Sequence, residues 1–162
     1  MSTVRPWRLG IAVHRPGRHK EGHPHHSMGT FPGVRHVSVS IERPPGEVYE
    51  FAVNPENLPR WARGLSGSIE KVEGEWVASS PMGKVKVRFV ERNALGVLDH
   101  DVLLESGASV HNPVRVVANG GGSEVIFTLF RRPDMTADDF EADAHAVERD
   151  LAALKSLLEA RR

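Results

Sequence analysis

The strongest constraint on the fold is an apolar stripe near the C-terminal end of the chain. Apolar residues recur there at alternating spacings of four and three, which places them on one face of an α-helix. The stripe consists of Phe140, Ala144, Val147, Leu151, Leu154 and Leu158. Thr136, with Asp139 three residues later, resembles a capping box and predicts where the helix begins. A helix over residues 136–160 is about 37 Å long at about 1.5 Å per residue, so its stripe needs an apolar surface of matching length.

The residues before this helix predict a sheet that supplies such a surface. Residues 35–42 alternate valine and isoleucine with polar side chains, which indicates a half-buried strand. A Pro-Pro-Gly sequence ends that strand, and short helical segments are predicted at 47–53 and 56–62. Further strands are predicted at 67–72, 75–80, 84–92, 96–105, 109–118 and 124–132. The order βααββββββα, with about seven antiparallel strands and one long C-terminal helix, is an α+β arrangement.

The first 33 residues differ in composition from the rest of the chain. They contain five of the nine histidines, and five basic residues against one acidic residue. They show neither helical nor strand periodicity, so we expect a disordered basic tail at 1–33 and one folded domain at 34–162. Clustered histidines can capture a transition metal, but adventitious binding by a mobile tail is the expected explanation and no metal site is predicted. An alternative is that translation begins at Met28, just before the patterned residues.

The composition excludes several classes of function. Basic and acidic residues are equal in number, 21 of each, and provide no domain-wide positive surface for nucleic acid. The chain has no cysteine, which excludes a thiolate nucleophile, cysteine-ligated zinc and an iron–sulfur cluster. No apolar run is long enough for a signal sequence or a membrane span. We therefore expect a cytoplasmic protein with no cofactor, no nucleic-acid partner and no stable membrane insertion.

Three stretches of the sequence resemble a known superfamily. They are VSVSIERPPGEVYEFAVNPENLPRW at 37–61, HNPVRV at 111–116 and DLAALKSLLE at 150–159. With the order of elements, they resemble the helix-grip fold of the SRPBCC superfamily, which includes START and birch-pollen-allergen-like proteins. Within it, the chain is similar to the polyketide cyclase/dehydrase-like branch. The resemblance covers about residues 35–160.

This resemblance implies a curved antiparallel sheet wrapped around the long C-terminal helix, with a cavity between them. Such a cavity holds an apolar or aromatic small molecule, for example a lipid, a sterol or a polyketide. The superfamily contains carriers, receptors and a minority of enzymes, and these share no catalytic motif. The resemblance therefore implies a binding cavity but no particular reaction.

Two polar residues fall on apolar strand faces that would line this cavity. His100 shares its face with Leu98 and Val102, and Asn112 shares its face with Val110. A tight turn between the two strands would place His100 directly across from Asn112. An imidazole beside an amide can act as a general base or can orient a ligand carbonyl. The alternative is a hydrogen-bonded pair that satisfies itself and shapes the pocket.

Further side chains complete the candidate ligand site. They are Trp61, Val87, Phe89, Val102, Val114 and Phe140. Trp61 is expected near the cavity mouth, where it stacks on a ligand or belongs to the core or a lid. The apolar residues contact the ligand or belong to the core, because both roles follow the same strand and helix periods.

Acidic residues crowd the first half of the predicted last helix. They are Asp138, Asp139, Glu141, Asp143 and Glu148. Negative charge near a helix N-terminus complements the helix dipole. We therefore interpret these residues as dipole partners, with neither a metal site nor an acidic site among them.

These observations support three hypotheses. The first is reversible binding of a hydrophobic small molecule in the sheet–helix cavity. The second is a cyclase- or dehydratase-like lyase that uses His100 as the acid/base and Asn112 to orient the substrate. The third is a regulatory module that binds a partner protein, or forms a homodimer, through exposed sheet edges. The sequence favours the first and leaves the identity of the ligand open.

Overall fold

The computed structural model describes residues 33–161, so the predicted tail lies outside the described residues apart from Gly33. In this part of the chain the strands are β1 (Val34–Ile41), β2 (Ser66–Val72), β3 (Glu75–Ser80), β4 (Gly83–Phe89), β5 (His100–Leu104), β6 (Ser109–Asn112), β7 (Val114–Asn119) and β8 (Gly122–Phe130). The helices are α1 (Pro45–Val53), α2 (Leu58–Trp61) and α3 (Ala137–Glu159), with a 3-10 turn at Pro55–Asn57 before α2. The architecture is the expected α+β arrangement.

Pro113 divides one predicted strand into two, so the described residues contain eight strands instead of about seven. Proline has no backbone N–H to donate to a neighbouring strand, so the strand is interrupted at Pro113: β6 pairs with β5, and β7 pairs with β8. The alternation of side chains continues across this break. The buried residues on both sides of it are Val110, Asn112, Val114 and Val116. The predicted faces are therefore present although the strand is broken.

The strands form two antiparallel sheets joined by the segment before β5. One sheet has the order β1-β8-β7 and the other has the order β2-β3-β4-β5-β6. Val97 forms an isolated bridge with Arg115 of β7, and β5 then pairs with β6. This bridge connects the two sheets, while the chain itself passes from one sheet to the other between β6 and β7. Together the strands form the curved surface of a helix-grip fold.

α3 is the predicted long helix, and its capping box is present. Thr136 Oγ1 accepts a hydrogen bond from the Asp139 N–H, and the Asp139 carboxylate accepts one from the Thr136 N–H, both at 3.1 Å. All the residues of the apolar stripe are buried. The helix lies against β1 and α2, which confirms that an apolar surface covers the stripe.

Polar contacts fix the C-terminal half of α3 beside β1. Lys155 Nζ donates to the carbonyl oxygen of Ser40 at 2.7 Å. The Glu42 N–H donates to a carboxylate oxygen of Glu159 at 2.9 Å. These contacts set the position of the helix along β1, and so they determine which α3 side chains face the sheet.

Candidate functional site

His100 and Asn112 face each other inside the fold, in the register that the sequence predicts. His100 pairs with Asn112 across β5 and β6, and it pairs with Phe89 on its other side, across β4 and β5. His100 is 2% exposed and Asn112 is 1% exposed. The three side chains form one row across the inner face of the sheet, which we call the His100 row.

Both ring nitrogens of His100 have hydrogen-bond partners. Nδ1 lies 3.1 Å from the carbonyl oxygen of Leu98, which can only accept, so Nδ1 carries the proton. Asn112 Nδ2 lies 3.3 Å from His100 Nε2, and its amide therefore donates to the free lone pair. Burial is the largest influence on His100 and lowers its pKa. The arrangement holds a neutral imidazole with a defined tautomer.

A glycine allows the backbone turn that places Leu98 beside His100. Gly96 has a φ of +73°, and a Cβ atom there would lie 2.1 Å from the carbonyl oxygen of Val116. No other residue type permits this approach without a backbone shift. The Val116 N–H donates to the Gly96 carbonyl at 2.8 Å, and the Leu98 N–H donates to the Val114 carbonyl at 2.8 Å. These bonds connect residues 96–98 to β7 immediately before His100 enters β5.

The remaining predicted ligand residues lie on the sheet, on α2 and at the start of α3. Val87 pairs with Val102 beside the His100 row, and Val114 pairs with Phe127 on β8. Trp61 is 6% exposed, which agrees with the core alternative, and it lines the small cavity described below. Phe140 is buried at the start of α3, where its ring lies close to Gly33.

A small enclosed cavity separates α3 from the His100 row. Its lining includes Trp61, His100, Phe127, Val147 and Asp150. Its volume of about 10 Å³ is close to the space that one water molecule needs. Among the described residues, side chains therefore fill most of the space between α3 and the His100 row, and this cavity is too small for a drug-sized ligand.

A larger groove opens on the other side of Phe89. It has a volume of about 740 Å³ and lies between β3–β4 and the segment that joins α1 to α2. Trp76, Val87 and Phe89 line it from the sheet, and Val53 and Pro55 line it from the opposite side. We call it the mouth groove. It contains two of the predicted ligand residues, Val87 and Phe89.

Asp143 is a buried carboxyl group that the sequence interpretation does not anticipate. It is fully buried, and neither oxygen has a hydrogen-bond partner among the described residues. Burial raises its pKa to about 7, an effect that the positive charge of Arg132 partly offsets. The dipole interpretation is therefore wrong for Asp143. Helical spacing is the signal that could have found it, because it lies four residues before the buried Val147.

Asp150 is another buried carboxyl group on α3. It is 4% exposed and accepts one hydrogen bond, at 3.2 Å from the Arg63 N–H. Burial raises its pKa to about 8. It lines the small cavity together with Trp61, whose indole N–H is buried without a partner in the part of the chain described. The helix side of the interior is therefore more polar than the sequence predicts.

Between residues 33 and 161, no helix combines the length and the apolar character of a membrane span. In the same range, no three histidine, aspartate or glutamate side chains are grouped so as to hold a metal ion. The histidine-rich stretch of the tail lies outside these residues.

A curved antiparallel sheet that holds one long helix over a partly polar interior defines a helix-grip protein. The family model described as polyketide cyclase / dehydrase and lipid transport matches residues 35–159, and the chain belongs to this family. The resemblance seen in the sequence is thus confirmed. Among curated proteins, no sequence matches this chain. Family and fold together support hydrophobic-ligand binding or a polyketide-related function.

Solved structures share this fold. Ara h 8.0201 is 15% identical with a TM-score of 0.63, over 81% of this chain and 100% of that chain. TTHA0849 from Thermus thermophilus is 21% identical with a TM-score of 0.54, over 79% of this chain and 98% of that chain. DynU16, from the dynemicin biosynthetic locus, is 15% identical with a TM-score of 0.59, over 78% of this chain and 47% of that chain. At these identities the similarity shows the fold alone.

Proposed function

We propose that the protein binds a small apolar or aromatic molecule in the mouth groove. The observation that supports this proposal is the groove itself, because its volume of about 740 Å³ lies within the range of roughly 300–1,000 Å³ found for ligand pockets. Trp76 and Phe89 are half-buried in its wall and offer aromatic faces to a ligand. The enclosed cavity is too small for this role.

The rim of the groove is polar. Arg88 forms a two-pronged contact with Glu75, at 3.0 and 2.6 Å, and Arg92 forms an ion pair with Glu50. All four side chains are among those that line the groove. An apolar wall with a few polar groups at its edge is typical of a small-molecule site.

Phe89 connects this groove to the His100 row. Its ring centroid lies 5.2 Å from that of His100, with a tilt of 46° between the rings. A rotation of the Phe89 side chain would open a path from the groove to His100 and Asn112. In this proposal Phe89 separates the ligand site from the interior, and the polar pair orients the part of the ligand that passes it.

The hydrogen bonds of His100 favour ligand orientation over proton transfer. Its Nε2 lone pair is already occupied by the Asn112 amide, and its pKa is lowered by burial. A general base needs a free lone pair within reach of the substrate proton. A cyclase- or dehydratase-like reaction would therefore require Asn112 to release His100 first.

The experiment is a fluorescence titration with 1-anilinonaphthalene-8-sulfonate, an apolar dye with an anionic group. We expect saturable binding at one site in the wild type. Trp76→Ala should raise the dissociation constant at least about fivefold, because it removes an aromatic side chain whose contact with the dye contributes about 1 kcal/mol or more. Native mass spectrometry of gently purified protein would show whether an apolar ligand co-purifies.

Val72→Ala is the matched control, because Val72 is an exposed valine on neighbouring β2 and is not among the residues that line the groove. It should bind the dye as the wild type does. Equal affinities for the wild type, Trp76→Ala and Val72→Ala would overturn the assignment of the ligand to the mouth groove.

A further inference from the structure

A second groove lies between α2 and the C-terminal half of α3. It has a volume of about 600 Å³, within the range of roughly 300–1,000 Å³ found for ligand pockets. None of its lining residues lines the mouth groove. Arg60 and Arg63 line it from α2 and the residues that follow α2, and Arg149 and Ser156 line it from α3. We call it the arginine groove.

The charged side chains that line the arginine groove are all positive. They are three exposed arginines, and no acidic residue lines the groove with them. Among the described residues, none of the three forms an ion pair, whereas four other arginines do: Arg35 with Glu141, Arg88 with Glu75, Arg92 with Glu50 and Arg115 with Asp99. The whole chain is balanced, with 21 basic and 21 acidic residues. The groove is therefore a local excess of positive charge, and a cleft lined by one sign of charge concentrates ions of the opposite sign.

The fold holds two of these arginines close to each other. The Arg63 N–H donates to the Asp150 carboxyl group at 3.2 Å, and Asp150 directly follows Arg149 on α3. Burial raises the pKa of Asp150 to about 8, and the positive charges of Arg149 and Arg63 partly offset this rise. Both guanidinium groups therefore lie near one carboxyl group. At neutral pH that group mostly keeps its proton and provides little negative charge to neutralise them.

Phe51 holds Arg60 next to a fourth arginine. Cζ of Arg60 lies 5.4 Å from the centroid of the Phe51 ring, and Cζ of Arg161 lies 4.7 Å from the same centroid. Both guanidinium groups are attracted to the aromatic ring. This contact restricts the Arg60 side chain before a ligand binds, which lowers the entropy cost of binding. Arg161 adds a further positive charge beside Arg60.

We propose that the arginine groove binds the phosphate group of a phosphate monoester, and that Arg60, Arg63 and Arg149 donate to its oxygens. A guanidinium group presents a planar fork of N–H donors that matches phosphate oxygens. A phosphate monoester has three acceptor oxygens and about two negative charges at neutral pH. Three arginines without acidic partners therefore suit phosphate better than a carboxylate with its single charge. The Ser156 hydroxyl adds a neutral donor on the α3 side of the groove.

The phosphate group has two possible sources, a small soluble molecule and the headgroup of a phospholipid. Both present the same chemistry to the arginines. Half-buried Pro59, Ala153 and Leu157 also line the groove and offer an apolar surface to the remainder of the ligand. This inference goes beyond the proposed function and does not depend on it, because the two grooves share no lining residue.

The experiment is isothermal titration calorimetry of the full chain with glycerol 3-phosphate, at neutral pH and low ionic strength. This probe has no apolar body for the mouth groove. We expect one site that binds it at least about tenfold more tightly than glycerate, the matched carboxylate. Arg63→Gln and Arg149→Gln should each raise the dissociation constant at least about fivefold, because each removes a charged donor. Added salt should weaken binding, since it screens these charges.

Lys84→Gln is the matched control, because Lys84 is an exposed lysine on β4 that lines neither groove. It removes the same charge and should bind glycerol 3-phosphate as the wild type does. Trp76→Ala should also do so, since Trp76 lines only the mouth groove of the two. Circular dichroism shows that each variant is folded, and the arginine variants are expected to fold because the replaced side chains are exposed.

Vesicle sedimentation separates the two sources of the phosphate group. Phosphatidylcholine vesicles that contain phosphatidic acid present a phosphate monoester, and those that contain phosphatidylglycerol present a negatively charged diester. Binding to the first and not to the second, with loss in Arg63→Gln, would support the site with a phospholipid as the source. Binding of glycerol 3-phosphate without binding to either vesicle would support the site with a soluble molecule as the source.

Four results would overturn this inference. The first is equal affinity for glycerol 3-phosphate and glycerate, and the second is an equal loss in Lys84→Gln and Arg63→Gln, which would show general charge attraction. The third is a loss in Trp76→Ala as large as that in Arg63→Gln, which would place the anion in the mouth groove. The fourth is no binding of glycerol 3-phosphate together with no preference for phosphatidic acid. That last result would leave the dye titration of the mouth groove unaffected, so the two proposals fail separately.

Discussion

The sheet side and the helix side of the interior bury polar groups to the same extent, but they differ in how many of these groups have hydrogen-bond partners. On the sheet, His100 uses both ring nitrogens in hydrogen bonds, one of them to Asn112. On α3, Asp143 uses neither carboxyl oxygen among the described residues, and Asp150 receives one backbone N–H. Burial alone therefore does not separate a polar group that stabilises the fold from one that costs stability. The presence or absence of hydrogen-bond partners separates them, and four predictions test that distinction.

The largest expected effect is the dependence of stability on pH. The pKa of Asp143 is raised from 3.8 to about 7, and that of Asp150 from 3.8 to about 8, so the folded state holds protons that the unfolded state has lost. Their contribution is complete below the unfolded pKa and disappears as pH rises through the folded values. The free energy of unfolding should fall by roughly 2–3 kcal/mol between pH 6.5 and pH 9, at about 1.4 kcal/mol per pKa unit.

His100 acts in the opposite direction at lower pH. Its pKa is lowered by burial, so it contributes stability above its unfolded pKa of about 6.5 and loses that contribution as pH falls. Below pH 6.5 this contribution of His100 therefore offsets part of the fall in stability that Asp143 and Asp150 produce as pH rises from 3.8. Urea denaturation across this range measures both parts, and a curve without slope between pH 6.5 and pH 9 would remove the distinction between the two sides.

Asn112→Leu should be the most destabilising of the single substitutions discussed here. It removes the donor to His100 Nε2 and leaves a buried imidazole lone pair without a partner, at an expected cost of about 2 kcal/mol. The double variant His100→Phe with Asn112→Leu should recover part of this loss, because neither polar group then remains. Additive effects in that double-mutant cycle would mean that the pair is not coupled.

Asp143→Leu should change stability in the opposite direction. Replacing an unpaired buried carboxyl group with an apolar side chain of similar volume should raise the free energy of unfolding by about 1–2 kcal/mol at pH 7. It should also remove part of the slope between pH 6.5 and pH 9. Destabilisation by this substitution would indicate that Asp143 has a partner in the folded protein.

The smallest expected effect belongs to an exposed carboxyl group on the same helix. Asp138→Ala should lower the free energy of unfolding by only about 0.3–0.5 kcal/mol, because Asp138 interacts with the helix dipole in water. Thermal unfolding at low and high salt is the measurement, since screening weakens this contribution. A loss comparable to that of Asn112→Leu would show that position on α3, and not burial, controls these effects.

Sequence periodicity predicts much of the fold and, within the candidate site, the pairing of His100 with Asn112. The buried stripe of α3, its capping box and the pairing of His100 with Asn112 follow from local spacing and strand register. The described residues contain eight strands where about seven were predicted, because Pro113 interrupts a pattern whose side-chain alternation continues unchanged. Trp61 is buried, in agreement with the core alternative for this residue. The sequence could not choose between the alternatives, because a helix of four residues has no period that shows which face is buried.

The amino-acid sequence by itself determined the elements, their faces and the opposition of one polar pair, because these depend on short-range periods of two and 3.6 residues. Only the tertiary structure decided that Asp143 is fully buried without partners among the described residues and that the mouth groove lies beyond Phe89. Both facts depend on how α3 lies along β1 and on how the segment that joins α1 to α2 lies opposite β3 and β4. A side chain's partners come from elements distant in the chain, and local periodicity carries no information about them.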